Sequence, residues 1–509
     1  MKSMMEKEYI EIKNNFMPVN ISEIPVHSYE KFSSLVSYLL RNESNHCTAY
    51  FPVSEKGKQR FIICIADDSN KNIRVFSHIT ADDNNSLKSL SEELPQLHIF
   101  EREIHENSGI FFEGHPWLKP VRFPHNRPDK TGTIEGYPFY NIDSEELHEV
   151  GVGPVHAGVI EPGHFRFICN GEKVLHLEIQ LGYQHRGVEQ LFIEKEAPLQ
   201  RSILAENIAG DTVTGHALAH VQLIESLAGI DAGEKLQAER CIALELERIA
   251  VHIGDTAALC GDVAYQFGQV VCEALRTTII NTTQFWCGNR FGKGLIRPGG
   301  TNFPLTVQAA DEILKVLSVS IPRYEEVADR IFTLPSLLAR FEDIGTVTKK
   351  QVSDIGAVGM AARSSGLLRD IRSTHPFQIF RHYEINTVVH QTGDVLARAL
   401  QRKDEIRESA RIIRDLIDVW KNLDGDVSKP DYNFNLKPDT FAISLTEGWR
   451  GEICHTAITG KDGKIVHYKI KDPSFHNWMA LALAVRNQEI SDFPLCNKSY
   501  NLSYCGHDL

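Results

Sequence analysis

Histidine offers this sequence its widest chemistry, and it recurs at glycine turns. His156 sits in GPVHAG (153–158), His164 in EPGHFRF (161–167) and His185 in GYQHRG (182–187). An imidazole so placed can move a proton near neutral pH or make a structural hydrogen bond. Both readings stay open for these three. His216 and His220 stand four apart, the spacing of a two-histidine metal grip on one helix face. No Glu follows His216 where a zinc protease needs one, so packing with a satisfied hydrogen bond is the preferred reading there. Cys496, Cys505 and His507 could close on a metal, but no closer pair of thiols or fourth ligand accompanies them. Between the GYQHRG turn and His216 lies AENIAGDTVTG (205–215), whose small residues leave room for a ligand against the backbone.

Charge adds a second set of candidates. Arg186, Glu245, Arg248, Arg363, Arg372 and Asp472 interrupt apolar runs. Charges so placed are expected to form internal ion pairs that fix helices and hairpin rather than to act as catalysts. GxGxxG and P-loop patterns are absent, so no nucleotide site is expected in this chain.

These side chains need a large scaffold. At 509 residues the chain is too long for one ordinary core, so two or three domains are expected. Its 42% hydrophobic and 24% charged content is that of a soluble globular protein. The net charge of −13, without a long Lys/Arg run, argues against a nucleic-acid binder. No apolar run reaches the ~18 residues of a membrane span, and the charged start lacks the apolar core of a secretion signal. The ten cysteines are scattered without a CxxC pair, which fits a reduced cytosolic chain with small buried thiols.

The periodicity predicts an α+β protein. Residues 1–126 read as a compact module, with a helix over 29–40, strands over 60–66 and 72–79, and a short helix over 86–94. A polar Pro/Gly-containing linker spans 127–149. From residue 150 a second unit begins with antiparallel strands over 152–182 around the Asn170-Gly171 turn. Helical spacing then predicts runs over 188–204, 215–227, 234–263, 267–289, 305–341 and 393–422, packed as a bundle. Strand-like alternation returns over 434–471. The tail, 472–509, is too apolar for a loose terminus.

In the second unit GPVHAG, EPGHFRF, GYQHRG, ELER (245–248), RSSG (363–366) with Asp370 and Arg372, GDV (393–395) with Arg398, and EGWRGE (447–452) occur in order. Together they make it resemble the large subunit of membrane-bound, energy-converting nickel–iron hydrogenases and the homologous subunit of respiratory NADH:quinone oxidoreductase. The first unit, through ERE (101–103) and GIFFEGHP (109–116), resembles the small partner subunit that docks on it. The resemblance implies a fusion of the formate-hydrogenlyase type over residues 150–509 and 1–126: an N-terminal α/β sandwich-like domain, then a large helical bundle with flanking antiparallel β-hairpins.

The same resemblance implies where chemistry would sit. The hydrogenases hold nickel and iron with thiolates from two CxxC pairs, which fall here at Ala209 and Thr212, and at Ser474 and Asn477 of DPSFHN (472–477). A methyl, two hydroxyls and an amide are not the soft, deprotonated ligands such a centre requires, so hydrogen activation is not expected. The quinone enzymes use a hairpin histidine, here His156, and a tyrosine whose position is taken by Gly210. The expectation is therefore a cytoplasm-facing, peripheral subunit without nickel. It would receive electrons from a small iron–sulfur partner, associate with antiporter-like membrane subunits, and pass the electrons to a quinone or another small acceptor near His156, Gly210, Thr212, His216 and Ser474. A scaffold protein that kept the fold and lost the chemistry is the rival. A hydrogenase with unusual ligands is the weaker alternative.

Overall fold

The computed structural model describes residues 7–13, 16–55, 58–80, 85–156 and 160–509. Near the N-terminus, strands Asn45–Glu55, Lys58–Asp67 and Asn72–Ile79 run antiparallel, with Ile10–Ile12 and Val26–His27 both paired to the third. One face of this sheet is covered by two helices. Tyr29–Leu40 starts at Ser28, whose hydroxyl accepts the Lys31 N–H, and turns Phe32, Leu35, Val36, Leu39 and Leu40 inward. Burying side chains of that kind contributes roughly 1.5–3 kcal/mol each. The second helix, His98–Ser108, ends at Gly109 in the left-handed conformation (φ 77°).

The helix predicted over 86–94 does not form. Ser86–Lys88 is instead a strand paired in parallel with Phe111–Glu113. The cause is the buried carboxylate of Glu101, which takes the Ser89 and Ser91 hydroxyls and the Leu90 N–H. Serine hydroxyls and a backbone N–H committed to a side chain compete with helix formation.

The larger unit holds a three-stranded antiparallel sheet (His148–Val152, His164–Asn170, Lys173–Gln180) and a second antiparallel sheet of Thr440–Glu447, Glu452–Thr459 and Ile465–Lys471. Every residue of Thr440–Glu447 and Glu452–Thr459 is buried, because helix Val213–Ala228 covers these two strands while the edge strand Ile465–Lys471 abuts Asn45–Glu55. Val19–Asn20 pairs with Thr440–Glu447, so residues 19–20 are tied to this second sheet.

Helices Glu234–Asp262, Gln266–Cys287, Val307–Ile331 and Val395–Asn422 form the bundle. Two predicted runs are each broken once. The 188–204 run divides into Val188–Glu194 and Pro198–Ala205, and 305–341 into Val307–Ile331 and Pro335–Phe341. In both cases a proline opens the second helix, where its missing N–H costs least and the preceding residue is driven extended. The tail is ordered around helices Ser474–Ala484, Phe493–Tyr500 and Tyr504–Asp508, with Trp478, Cys496 and Tyr500 buried.

Candidate functional site

The GYQHRG turn is a brace. Gly182 (φ 101°) passes so close to the Arg122 backbone that a Cβ would lie 3.1 Å from it. The Asp508 carboxylate accepts the Gly182 and Gln184 N–H groups, and His185 Nδ1 lies 2.7 Å from the Asp508 carbonyl. Arg186 spends its guanidinium on the carbonyls of Asn207, Ile208 and Cys505. It thereby takes up orphan acceptors at the helix junction.

The junction itself is occupied. Ala209 is buried, while Gly210 is exposed with open space where a Cβ would stand. The next helix, Val213–Ala228, has its first amides satisfied by Glu247, which accepts from Thr214 (2.8 Å) and Gly215 (3.2 Å) N–H groups. Burial pushes the Glu247 carboxyl up to about 7. Thr212 accepts from Arg450 at 3.1 Å and donates to Asp211. Arg450 grips the Asp211 carboxylate with two bonds of 2.6 Å, donates to the Asn501 carbonyl and lies over the Trp449 ring.

The two tail positions are likewise engaged. Ser474 Oγ accepts the Ser503 N–H at 2.9 Å. Asn477 clamps the backbone of Val358, accepting its N–H and donating to its carbonyl, both at 3.1 Å. Among the described residues no group of three or more His, Cys, Asp or Glu side chains is placed to hold a metal ion. The methyl, two hydroxyls and amide of Ala209, Thr212, Ser474 and Asn477 are not the thiolate donors that a nickel–iron centre requires.

Beside the Asp211–Arg450 pair opens a cavity of about 630 Å³, lined among others by His156, Glu161, Phe165, Asp262, Lys498 and Tyr504. The His156 ring packs near Phe165 and Tyr504, and its buried Nε2 has no partner among the described residues. Burial lowers the His156 pKa below the usual histidine value. Burial raises Asp262, with Lys498 opposing. A volume of this size, apolar walls and a few convergent polar groups are the properties of a small-molecule site.

Of the residues singled out from sequence, His156 lines this cavity. Gly210, Thr212, His216 and Ser474 do not, although Thr212 reaches it through Arg450. His216 is fully buried behind it and bonded to Asp472. Residues 157–159, which include the end of GPVHAG, lie outside the described residues. Sequence reading missed Asp211, Asp262 and Lys498. Asp262 carried a signal: it is the last residue of helix Glu234–Asp262, where the macrodipole disfavours a carboxylate.

The remaining charges form one buried network. Glu245 meets Arg248 and Arg372 at 3.0 Å, and Arg372 also holds Asp370. Arg363 bridges Glu405 and Glu447 at 2.7 Å each. Burial alone would raise Glu245, but Arg248 and Arg372 hold it below the usual carboxylate range. Glu447, where burial prevails over Arg363, is pushed up to about 7. The network joins helices Glu234–Asp262 and Val395–Asn422 to the 359–374 segment and the end of strand Thr440–Glu447. It holds the bundle that carries the cavity.

Comparison with known proteins agrees with this architecture. The sequence family described as respiratory-chain NADH dehydrogenase, 49 Kd subunit, matches residues 262–441, and the 30 Kd subunit matches residues 26–139. Formate hydrogenlyase subunit 5 of Escherichia coli (strain K12) is 25% identical, covering 97% of this chain and 88% of that protein. The fused C/D protein of NADH-quinone oxidoreductase from Phocaeicola vulgatus is 27% identical, covering 84% and 88%. Among solved structures, a chain of the membrane-bound sulfane sulfur reductase, an archaeal respiratory membrane complex, shares the fold. Its TM-score is 0.67 at 21% identity, covering 73% of this chain and 100% of that one.

Proposed function

We propose a role from one premise: this chain fuses a 30 kDa-like and a 49 kDa-like unit and is homologous to formate hydrogenlyase subunit 5 and the C/D protein of NADH-quinone oxidoreductase. It is the large, peripheral subunit of a membrane-anchored oxidoreductase complex on the cytoplasmic face of the cell membrane. It takes electrons from a small iron–sulfur partner and passes them to a quinone or similar small acceptor, without a nickel–iron centre. Antiporter-like membrane subunits anchor it; no described helix is long and apolar enough to cross a membrane.

The observation that carries this reading is the cavity beside Arg450. It is large enough for a quinone head, it has an unpartnered imidazole nitrogen among the described residues, and the Asp262 carboxyl on its wall has its pKa raised by desolvation. A quinone takes two electrons from the partner and two protons to become the quinol. His156 would hydrogen-bond one carbonyl and orient the ring, and the exposed Asp262 would exchange protons between solvent and the cavity. Against a metal centre stands the engagement of Thr212, Ser474 and Asn477 in internal hydrogen bonds.

The test is to purify the chain with its neighbouring subunits and assay reduction of decylubiquinone by reduced methyl viologen, with metal content measured on the same sample. His156→Ala should lower turnover about a hundredfold. Stoichiometric nickel would overturn the reading, and absence of both activity and bound quinone would favour the scaffold role.

A further inference from the structure

Behind Arg450 a carboxylate, three histidines and a tyrosine, all buried, form an unbroken file outside the cavity lining. Asp472 Oδ2 lies 3.0 Å from His216 Nε2, and His216 Nδ1 lies 3.1 Å from His455 Nε2. His455 Nδ1 lies 2.8 Å from the Tyr468 hydroxyl, which lies 2.9 Å from His220 Nδ1. His216 and His220 come from one face of helix Val213–Ala228, His455 from the middle strand and Tyr468 from the edge strand. The surroundings are apolar, with Phe192 stacked on Tyr468 at 4.2 Å between ring centres. Aliphatic side chains would close this helix–sheet contact without burying polar groups.

The bonding pattern gives the file a property that ordinary buried histidines lack. A structural histidine has its tautomer fixed by a backbone carbonyl or a carboxylate. Here only His216 Nε2 is so fixed, by Asp472. The other ring nitrogens within the file face one another or the tyrosine hydroxyl, so their protons can shift only as a set. With His216 protonated at Nε2, His455 carries its proton at Nε2, Tyr468 donates to His455 Nδ1, and His220 donates to Tyr468.

We propose that His220, Tyr468, His455 and His216 are a proton relay that loads the His216–Asp472 pair, which lies behind the Arg450 that lines the acceptor cavity. A proton arriving at His220 Nε2 releases the one on Nδ1 to the Tyr468 oxygen. Tyr468 passes its own proton to His455 Nδ1, and His455 passes its Nε2 proton to His216 Nδ1. The result is a His216 imidazolium against the Asp472 carboxylate, and one proton has moved inward. The flanking charges set the direction. Arg201 and Arg297 disfavour a cation resting on His220, whose pKa burial already lowers to about 3. His455 is held neutral by burial and by its two histidine neighbours. Asp472, although buried, is held below the usual carboxylate range by His216, Arg450 and Ser474.

The proposal rests on the quinone-reducing reading above, so its test has one arm independent of turnover. Tyr468→Phe keeps the stack on Phe192 and removes only the hydroxyl. In the full chain labelled with ¹⁵N-histidine, the ring nitrogens of His216 should shift in Tyr468→Phe, although the two residues do not touch. Unmoved His216 signals would overturn the relay. In the purified complex, with reduced methyl viologen and decylubiquinone, Tyr468→Phe should lower turnover about tenfold at unchanged KM and raise the solvent deuterium isotope effect. Imidazole should restore part of the rate of His455→Ala. Wild-type turnover in Tyr468→Phe would also overturn the relay. A wild-type complex with no decylubiquinone activity would refute the acceptor, and the ¹⁵N arm would then decide the relay by itself.

Discussion

Asn477, where the hydrogenase resemblance leads one to expect a cysteine, makes only structural contacts. Its Oδ1 takes the Val358 N–H and its Nδ2 gives to the Val358 carbonyl, and the side chain is 1% exposed. Asn477→Ala therefore leaves two buried backbone groups without partners. Each such orphan costs about 1–3 kcal/mol, so the variant should lose roughly 2–6 kcal/mol of local stability. Since ~1.4 kcal/mol is tenfold in an equilibrium constant, exchange of the Val358 amide should accelerate by roughly thirtyfold or more. Hydrogen–deuterium exchange of the full chain, read on the peptide containing Val358, measures this directly. Asn477→Asp, which keeps an acceptor but sets a buried carboxylate against the Val358 carbonyl, should be at least as destabilised as Asn477→Ala. Metal content should be the same in all three proteins. An unchanged Val358 exchange rate in Asn477→Ala, or metal lost with the amide, would refute the clamp.

The remaining predictions concern charge and the cavity. Asp68 lies at the contact between the two units, near His46, His375 and Arg369. Burial raises it to about 8, with Arg369 opposing. An acid whose folded pKa is raised loses stability as pH rises from its unfolded value of about 3.9 to the folded one. The wild-type melting temperature should therefore fall between pH 5 and about 8 more than that of Asp68→Asn; parallel curves would remove the cause. Arg363→Met should strand Glu405 and Glu447, cost about 3–5 kcal/mol, and be seen as a lower denaturation midpoint or insoluble expression. His156→Ala should leave the melting temperature nearly unchanged, because Nε2 has no partner among the described residues, while abolishing most quinone reduction. A large fall in melting temperature would make His156 a structural residue instead.

Periodicity and motif order carried the architecture from sequence. Apolar spacing located most of the bundle helices, and the ordered motifs identified the two fused units, because burying one face of a helix or strand leaves a local and repetitive pattern. The helix breaks at Pro198 and Pro335 are also written locally, in the prolines themselves. The strand within 86–94 was not legible, because its cause is Glu101, a residue on another element. For the site, the sequence determined that Ala209, Thr212, Ser474 and Asn477 cannot be thiolates wherever the chain places them. Only the tertiary structure decided what those positions do instead. The Arg450–Asp211 grip, the Asn477 clamp and the file from Asp472 to His220 join residues up to 256 apart in sequence, as in His216 and Asp472. Hydrogen-bond partners are selected by three-dimensional proximity and complementary donors, and neither leaves a periodic trace along the chain.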